Sequence, residues 1–288
     1  MRLTALAAGA IMTIASVTAQ EKAEIAVSYD VQEWSFWQEK MVPRKMTLLA
    51  SPTSAKYFNE ITLWHDSLLS VPGGGEQLNE ILFKGLTIGA DGSITVGESV
   101  PLRTVYTYVF TDANKEALTV YDGWTLTGDT FYTYDEPAGE QTWEIVSDSI
   151  GEVLGYQCVL AETDYHGRHW KAWFAPEIPV PFGPWKFRGL PGLILKAESE
   201  GGFRYEATGI GATERLMTPM YTNVYEQHEK ADRKKMLETY EYEMNHIVEL
   251  QEAMFGTGRA DRDRDGNEVP VPTYDGFKSN PETDYKKK

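Results

Sequence analysis

"KFRGLPGLILKAES", residues 186–199, is the stretch on which the fold turns. Two glycines and a proline stand before an unbroken apolar run, and the acidic "EGG" of residues 200–202 follows. It can be read as a phosphate-cradling loop, a membrane-seeking patch, or a sharp turn feeding a buried strand. A phosphate loop needs consecutive backbone N–H groups aimed at one anion, usually at a helix N-terminus. Pro191 removes one such donor, and the residues after Gly192 continue as a strand by their apolar and β-branched character. The turn reading fits better. Gly189 and Gly192 bracket Leu190 and Pro191, so that proline pre-sets φ at one turn corner and Gly192 takes the next. Leu193 and Leu195 then face a core, with Ile194 on the reverse side of the sheet. The hexapeptide Gly189, Leu190, Pro191, Gly192, Leu193, Ile194 is on this reading scaffold.

Working outward, the same strand grammar recurs. "GLILKAES" and "GFRYEATGI" form a hairpin across "EGG", and residues 154–180 form another. In the second, Tyr156, Cys158 and Leu160 mark one arm and Trp170, Ala172 and Phe174 the other, with Gly167 free to take a positive φ at the turn. "EIAVSYDV", residues 24–31, alternates as an opening strand, as do Tyr106, Tyr108 and Phe110. "YFNEITLWHDSLL" reads as a helix or two short pieces, and "VPGGGE", residues 71–76, as a loop. From Tyr225 to Gly256 the chain is rich in helix formers without an interior Pro or Gly. Met236, Tyr240, Met244, Ile247 and Leu250 recur at three- and four-residue spacings, which predicts one long helix with a single apolar face.

The 288 residues suffice for a sizeable core, and aromatic residues make up 12% of them, which favours a β-rich architecture. The formal charge of −16 argues against nucleic acid and anionic membrane as partners. "MRLTALAAGAIMTIASVTAQ" has a basic start, a short apolar stretch and small residues before Ala19, the pattern of a secretory signal. No segment is long enough to span a bilayer. Cys158 is the single cysteine, so no intramolecular disulfide can form. The expected organisation is a signal peptide over 1–19, one β-rich domain with a C-terminal helix over 20–256, and a polar loop and tail over 257–288. The mature protein is expected to be soluble and exported, most plausibly periplasmic.

"LGYQCVLAETDYHGRHWKAWFAPEIPVPFGPWKFRGLPGLIL" resembles the signature of the GLPGLI family of exported Bacteroidota proteins, named after Gly189 to Ile194. The matching positions are Gly155, Tyr156 and Cys158, then Gly167 and Arg168, then Ala172, Trp173 and Phe174. Ile178 and Pro179, then Gly183 and Pro184, complete the series before the hexapeptide, and Trp143 fits upstream. The resemblance is tight over residues 104–200 and loose elsewhere. It implies export and brings no established biochemical activity.

Candidate chemistry is sparse. Cys158, Asp164, His166 and His169 lie close in sequence and could meet across a hairpin as zinc or copper ligands, or serve a hydrolase. The alternation of Cys158 with Tyr156 and Leu160 favours an inert buried thiol instead. Asp261, Asp263, Asp265 and Gly266 have the spacing of a calcium loop, but Pro272 stands where the bidentate glutamate belongs. An acidic solvated loop is favoured over a calcium site. Neither Gly-x-Ser-x-Gly nor HExxH occurs. Trp170, Trp173, Phe174, Phe182, Trp185 and Phe187 fall within eighteen residues on both strand parities. Either both faces of the sheet are covered, which is favoured because most aromatics are core, or Trp170, Trp173, Phe174, Trp185 and Phe187 line an apolar groove.

The expected fold is a large curved antiparallel sheet, a half-barrel resembling LolA-like proteins in layout, packed on a long C-terminal helix, with a closed barrel or sandwich as the alternative. The expected function is a non-enzymatic periplasmic binding or accessory protein. Its groove would take an apolar small molecule, lipid or peptide, and it could serve an outer-membrane transporter. The alternatives are a metal-dependent or hydrolytic enzyme using the Cys158, His166 and His169 region, and an envelope interaction module.

Overall fold

Strand alternation makes a sheet, and here it makes one very wide one. The structure is a computed structural model that describes residues 21–36, 38–90, 94–97, 99–112, 115, 117–122, 130–217, 227–255 and 270–286. The chain opens with β1 (Ile25–Ser35), β2 (Lys40–Ala50) and β3 (Ser54–Phe58). Helices α1 (Glu60–Leu69) and α2 (Gly74–Lys84) follow, then the small hairpin of β4 (Leu86–Ile88) and β5 (Ile94–Val96). Three further strands are β6 (Tyr108–Asp112), β7 (Ala117–Asp122) and β8 (Thr130–Pro137). The signature region supplies β9 (Glu144–Val153), β10 (Tyr156–Tyr165), β11 (Arg168–Ala175), β12 (Leu193–Ser199) and β13 (Arg204–Ala212). Last come β14 (Gln227–Lys230), α3 (Arg233–Asn245), α4 (Ile247–Phe255) and the single turn α5 (Gly276–Ser279).

Twelve strands form one sheet in the order β14-β8-β7-β6-β3-β2-β1-β13-β12-β11-β10-β9. Every pairing is antiparallel except β14 with β8. Since β14 and β9 stand at opposite ends, the sheet is open and no barrel closes. Both its faces are covered along the middle strands. On one face Val27, Tyr29 and Val31 of β1 join Leu48, Tyr57, Trp170, Leu193 and Tyr205 in the main core. On the other, Leu49, Phe58 and Tyr108 pack with Leu63 of α1. Double coverage is why aromatics occur on both parities.

The hexapeptide launches an interior strand, and Leu193, Ile194 and Leu195 are all fully buried. The reverse face on which Ile194 sits is therefore closed too. The two glycines divide the labour differently from the expected turn. Gly189 takes the left-handed conformation at φ +89°. Gly192 has no positive φ; it is needed because a Cβ there would lie 2.3 Å from the Ala175 carbonyl oxygen. The hexapeptide runs under the preceding loop, where the Leu193 and Ile194 amides bond the Ile178 and Phe182 carbonyls at 3.0 Å. The Gly189 amide bonds the Pro181 carbonyl at 2.9 Å.

Two elements differ from the sequence reading. The single C-terminal helix is interrupted. Its first residues pair as β14, Asp232 caps α3, and the chain breaks at His246 before α4. The apolar periodicity survives the break, since Leu237, Met244 and Ile247 are all buried. The "VPGGGE" loop is shorter than expected, because Gly73 at φ +77° caps α2 and Gly74 already lies inside it. The proposed signal over 1–19 lies outside the described residues, as do Asp261, Asp263, Asp265 and Gly256. Among the described residues no helix is long and apolar enough to cross a membrane.

Candidate functional site

At the β10–β11 turn, His166 at φ +52° and Gly167 at φ +81° occupy the two corners. Positive φ at both corners is the geometry that suits the twist of a tight hairpin. Gly167 is also required by space, since a Cβ would lie 2.4 Å from the Thr283 hydroxyl oxygen. The turn is thereby pressed against the C-terminal segment around residues 274–286. Thr283 donates its amide to the His166 carbonyl at 2.8 Å. Arg168 donates to the carbonyls of Phe277, Asn280, Pro281 and Glu200. Tyr274, Glu282 and Tyr285 are buried. The described part of the expected polar tail is thus a strap built into the fold.

Beneath the strap lies a cluster of ionised groups. The Lys186 ammonium donates to both Glu136 of β8 and Glu282 of the strap. Arg233, at the start of α3, donates to Glu282 and, at 2.5 and 3.0 Å, to Asp284. His166 meets Glu136 at 2.8 Å and Asp284 at 3.4 Å, and Tyr165 donates to Glu136 at 3.0 Å. Lys186, Glu136, His166 and Glu282 are each no more than 6% exposed. Charges that deep persist only when paired. Burial opposes ionisation of Glu136, but the Lys186 ammonium and then His166 more than offset it and hold the carboxyl below its usual range. Burial likewise opposes the His166 cation, and its bonds to Asp284 and Glu136 outweigh that and raise its pKa.

Glu136, His166 and Glu282 place one ligand atom each within 4.8 Å of one another, as a metal would require. The donor set is nonetheless satisfied by protein cations. Lys186 bonds both carboxylates and Arg233 bonds one, so three acids face two permanent cations and an imidazole of raised pKa. The cluster works as a clasp joining β8, the hexapeptide loop, α3 and the strap.

Above the clasp a cavity of about 290 Å³ opens between the main-core face of the sheet, α3 and the strap. Lys186 and Glu282 are part of its wall, together with Glu33, Tyr57, Tyr134 and Tyr205. Tyr57 is buried, and its hydroxyl has no hydrogen-bond partner among the described residues. Trp185 also lines the cavity; it adopts φ +53° and stacks on Tyr205 at 6.3 Å and 11°. A bulky residue in the left-handed region is uncommon and marks a conformation held by its surroundings. Burial pushes the Glu33 carboxyl above its usual range; Arg44, 4.0 Å away, pulls it down and Asp122 pushes it up.

The residues singled out from sequence are distributed unevenly over this site. Trp170, Phe174 and Phe187 are buried core rather than groove, and Trp173 packs partly buried against the core. Of the five proposed groove residues, Trp185 alone lines the cavity. The grouping of Cys158 with His166 and His169 does not form. Cys158 and His166 lie eight positions apart along an extended strand, about 26 Å at roughly 3.3 Å per residue. Cys158 is buried, its thiol is pushed up by burial, and His169 pairs with Asp164 at 2.8 Å. Glu33, Tyr57, Glu136, Lys186, Tyr205 and Glu282 were not singled out from sequence. The one available signal was Lys186, a cation set between Trp185 and Phe187.

Comparison with known proteins places the fold more firmly than the chemistry. A family model described as "Protein of unknown function (Porph_ging)" matches residues 161–196, from β10 into β12. Among solved structures the chain is similar to PNGF-II in its P21 crystal form, with a TM-score of 0.50 and 14% identity, over 75% of this chain and 33% of that one. The C2 form of PNGF-II gives a TM-score of 0.49 and 14% identity, over 76% and 32%. The chain therefore spans about a third of the length of PNGF-II, and the likeness is one of fold. No curated protein matches the chain.

Proposed function

We propose that the chain is a non-enzymatic binding protein whose site is the cavity between the sheet, α3 and the strap. The observation that carries this reading is a preformed hollow walled by Tyr57, Tyr134, Tyr205 and Trp185 together with the charged Glu33, Arg44 and Lys186. Support also comes from volume, since about 290 Å³ lies at the small end of ligand sites. A largely preformed hollow with aromatic walls and a few placed polar groups is the usual form of such sites.

The reading places the protein outside the cytoplasm, after cleavage near Ala19, on the strength of the amino-terminal pattern. A curved sheet holding cargo against helices, in the LolA-like manner, and delivery to an outer-membrane transporter belong to the same proposal. The occupant is a small molecule with both ring and polar character, in place of the purely apolar cargo expected from the aromatic run.

Native mass spectrometry of the full chain, purified from the cells that make it, tests this. The expected spectrum contains an adduct of small-molecule mass, which disappears in Thr239→Trp, where an indole from α3 fills the cavity. A bare chain, or an adduct indifferent to Thr239→Trp, would overturn the reading.

A further inference from the structure

The apolar alternation of β1 and β2 ends in a charged pair. On the main-core face Val27 pairs with Leu48 and Tyr29 with Met46, and the next rows are Val31 with Arg44 and Glu33 with Val42. Glu33 and Arg44 are thereby diagonal neighbours on one face of the sheet, and both stand in the cavity wall. The other charges of that wall are engaged. Lys186 and Glu282 belong to the clasp, and Asp122 and Glu243 have interactions of their own. Among the described residues Glu33 and Arg44 form an ion pair only with each other. Their closest approach, from the guanidinium Nε, is 4.0 Å, too long for a hydrogen bond. Neither side chain makes a hydrogen bond to any described residue, so the Glu33 oxygens and the Arg44 fork keep their bonding capacity. Of the side-chain surface, 34% of Glu33 and 28% of Arg44 is open, although burial is strong enough to raise the Glu33 carboxyl. Open surface on a group that deep is surface facing the hollow.

We infer that the cavity takes a free α-amino acid with an aromatic or apolar side chain, its ammonium on Glu33, its carboxylate on Arg44 and its side chain against the rings of the wall. This rests on the cavity being a ligand site, as proposed above, and adds the chemical class of its ligand. An α-amino acid carries both charges on groups attached to one carbon, so a carboxylate and a guanidinium 4.0 Å apart meet both at once. The planar guanidinium fork matches a carboxylate in two parallel bonds. A ligand with a cation alone sets it beside Arg44, and one with an anion alone sets it beside Glu33, so each meets a like charge. A peptide carries its terminal charges at opposite ends and does not answer a pair this close. Half-buried Trp34, Tyr106 and Tyr132, with Trp185, give the wall its ring surface.

Calorimetric titration of the full chain with three probes tests this: L-phenylalanine, phenethylammonium, which lacks its carboxylate, and 3-phenylpropionate, which lacks its ammonium. L-Phenylalanine is expected to bind about tenfold or more tightly than either, since each missing group removes one charge-assisted contact. Arg44→Gln should lower the phenylalanine affinity to that of phenethylammonium, and Glu33→Gln to that of 3-phenylpropionate. Should either variant fail to fold, the order of the three probes on the unsubstituted chain decides. Thr239→Trp, which fills the cavity from α3, should abolish phenylalanine binding. Phenylalanine binding no tighter than one of the other two probes, and lost in Thr239→Trp, overturns the inference while leaving the cavity a ligand site. Phenylalanine binding that survives Thr239→Trp overturns it as well, because the amino acid is then held elsewhere. Binding by none of the three overturns the inference too, and the cavity reading is then decided by the adduct in native mass spectrometry.

Discussion

At Lys186 an ammonium with 1% of its side chain exposed lies between two carboxylates from different parts of the chain. Lys186→Met leaves Glu136 and Glu282 facing each other in the interior. Removing one partner of a buried pair costs about 3–5 kcal/mol, so urea unfolding of this variant should show a loss of that size. The clasp also fixes how stability depends on pH. His166 has a raised folded pKa, so its contribution is complete below about pH 6.5, the ordinary histidine value, and declines as pH rises through the folded value. Glu136 and Asp284 have lowered folded pKa values, so theirs is complete above about pH 4.5 and declines as pH falls. Unfolding free energy should therefore be highest between roughly pH 4.5 and 6.5, and His166→Gln should flatten the alkaline limb. Little of this was legible in the sequence. His166 stood out as a metal ligand or catalytic base, whereas its partners Glu136 and Asp284 lie 30 and 118 positions away and belong to no motif.

Elements were more readable because strand and hairpin patterns are local. The alternation of Val27, Tyr29 and Val31 and the paired arms around Gly167 both appear as β-structure. Where the reading slipped, a long-range contact decided. β14 forms because β8 offers an edge to pair with, which no helical propensity over residues 227–230 discloses. Gly192 likewise answers to the Ala175 backbone rather than to its own dihedral angle. Gly192→Ala should destabilise by about 1–3 kcal/mol, the usual cost of forcing atoms into a filled space. Gly209→Ala in β13 meets nothing within 4 Å and has no positive φ, so it should be neutral or slightly stabilising. Thermal unfolding of the two variants side by side checks both.

On the scale of the whole molecule, the strap ties the far end of the chain to the β10–β11 turn and roofs the cavity. Arg168 is its main rivet, donating to three strap carbonyls. Arg168→Met should raise amide exchange across residues 276–286 well before it affects β1 or β12, which hydrogen-exchange mass spectrometry reads directly. The cavity itself could not be foreseen, since its wall draws on β1, β2, β3, β7, β8, β13, α3 and the strap. The aromatic run left core and groove both open with core favoured; Trp170, Phe174 and Phe187 are core, and tyrosines of other strands line the cavity. Tyr57→Phe removes the hydroxyl without changing the shape of the wall. It should leave the protein as stable or up to about 1 kcal/mol more stable, since the buried hydroxyl has no hydrogen-bond partner among the described residues. The most direct test of the cavity as a ligand site is a crystal structure of the full chain purified without detergent from the cells that make it. The expected result is continuous density for a small molecule lying between Glu33, Tyr57 and Tyr205. A cavity filled by ordered water alone would contradict the account.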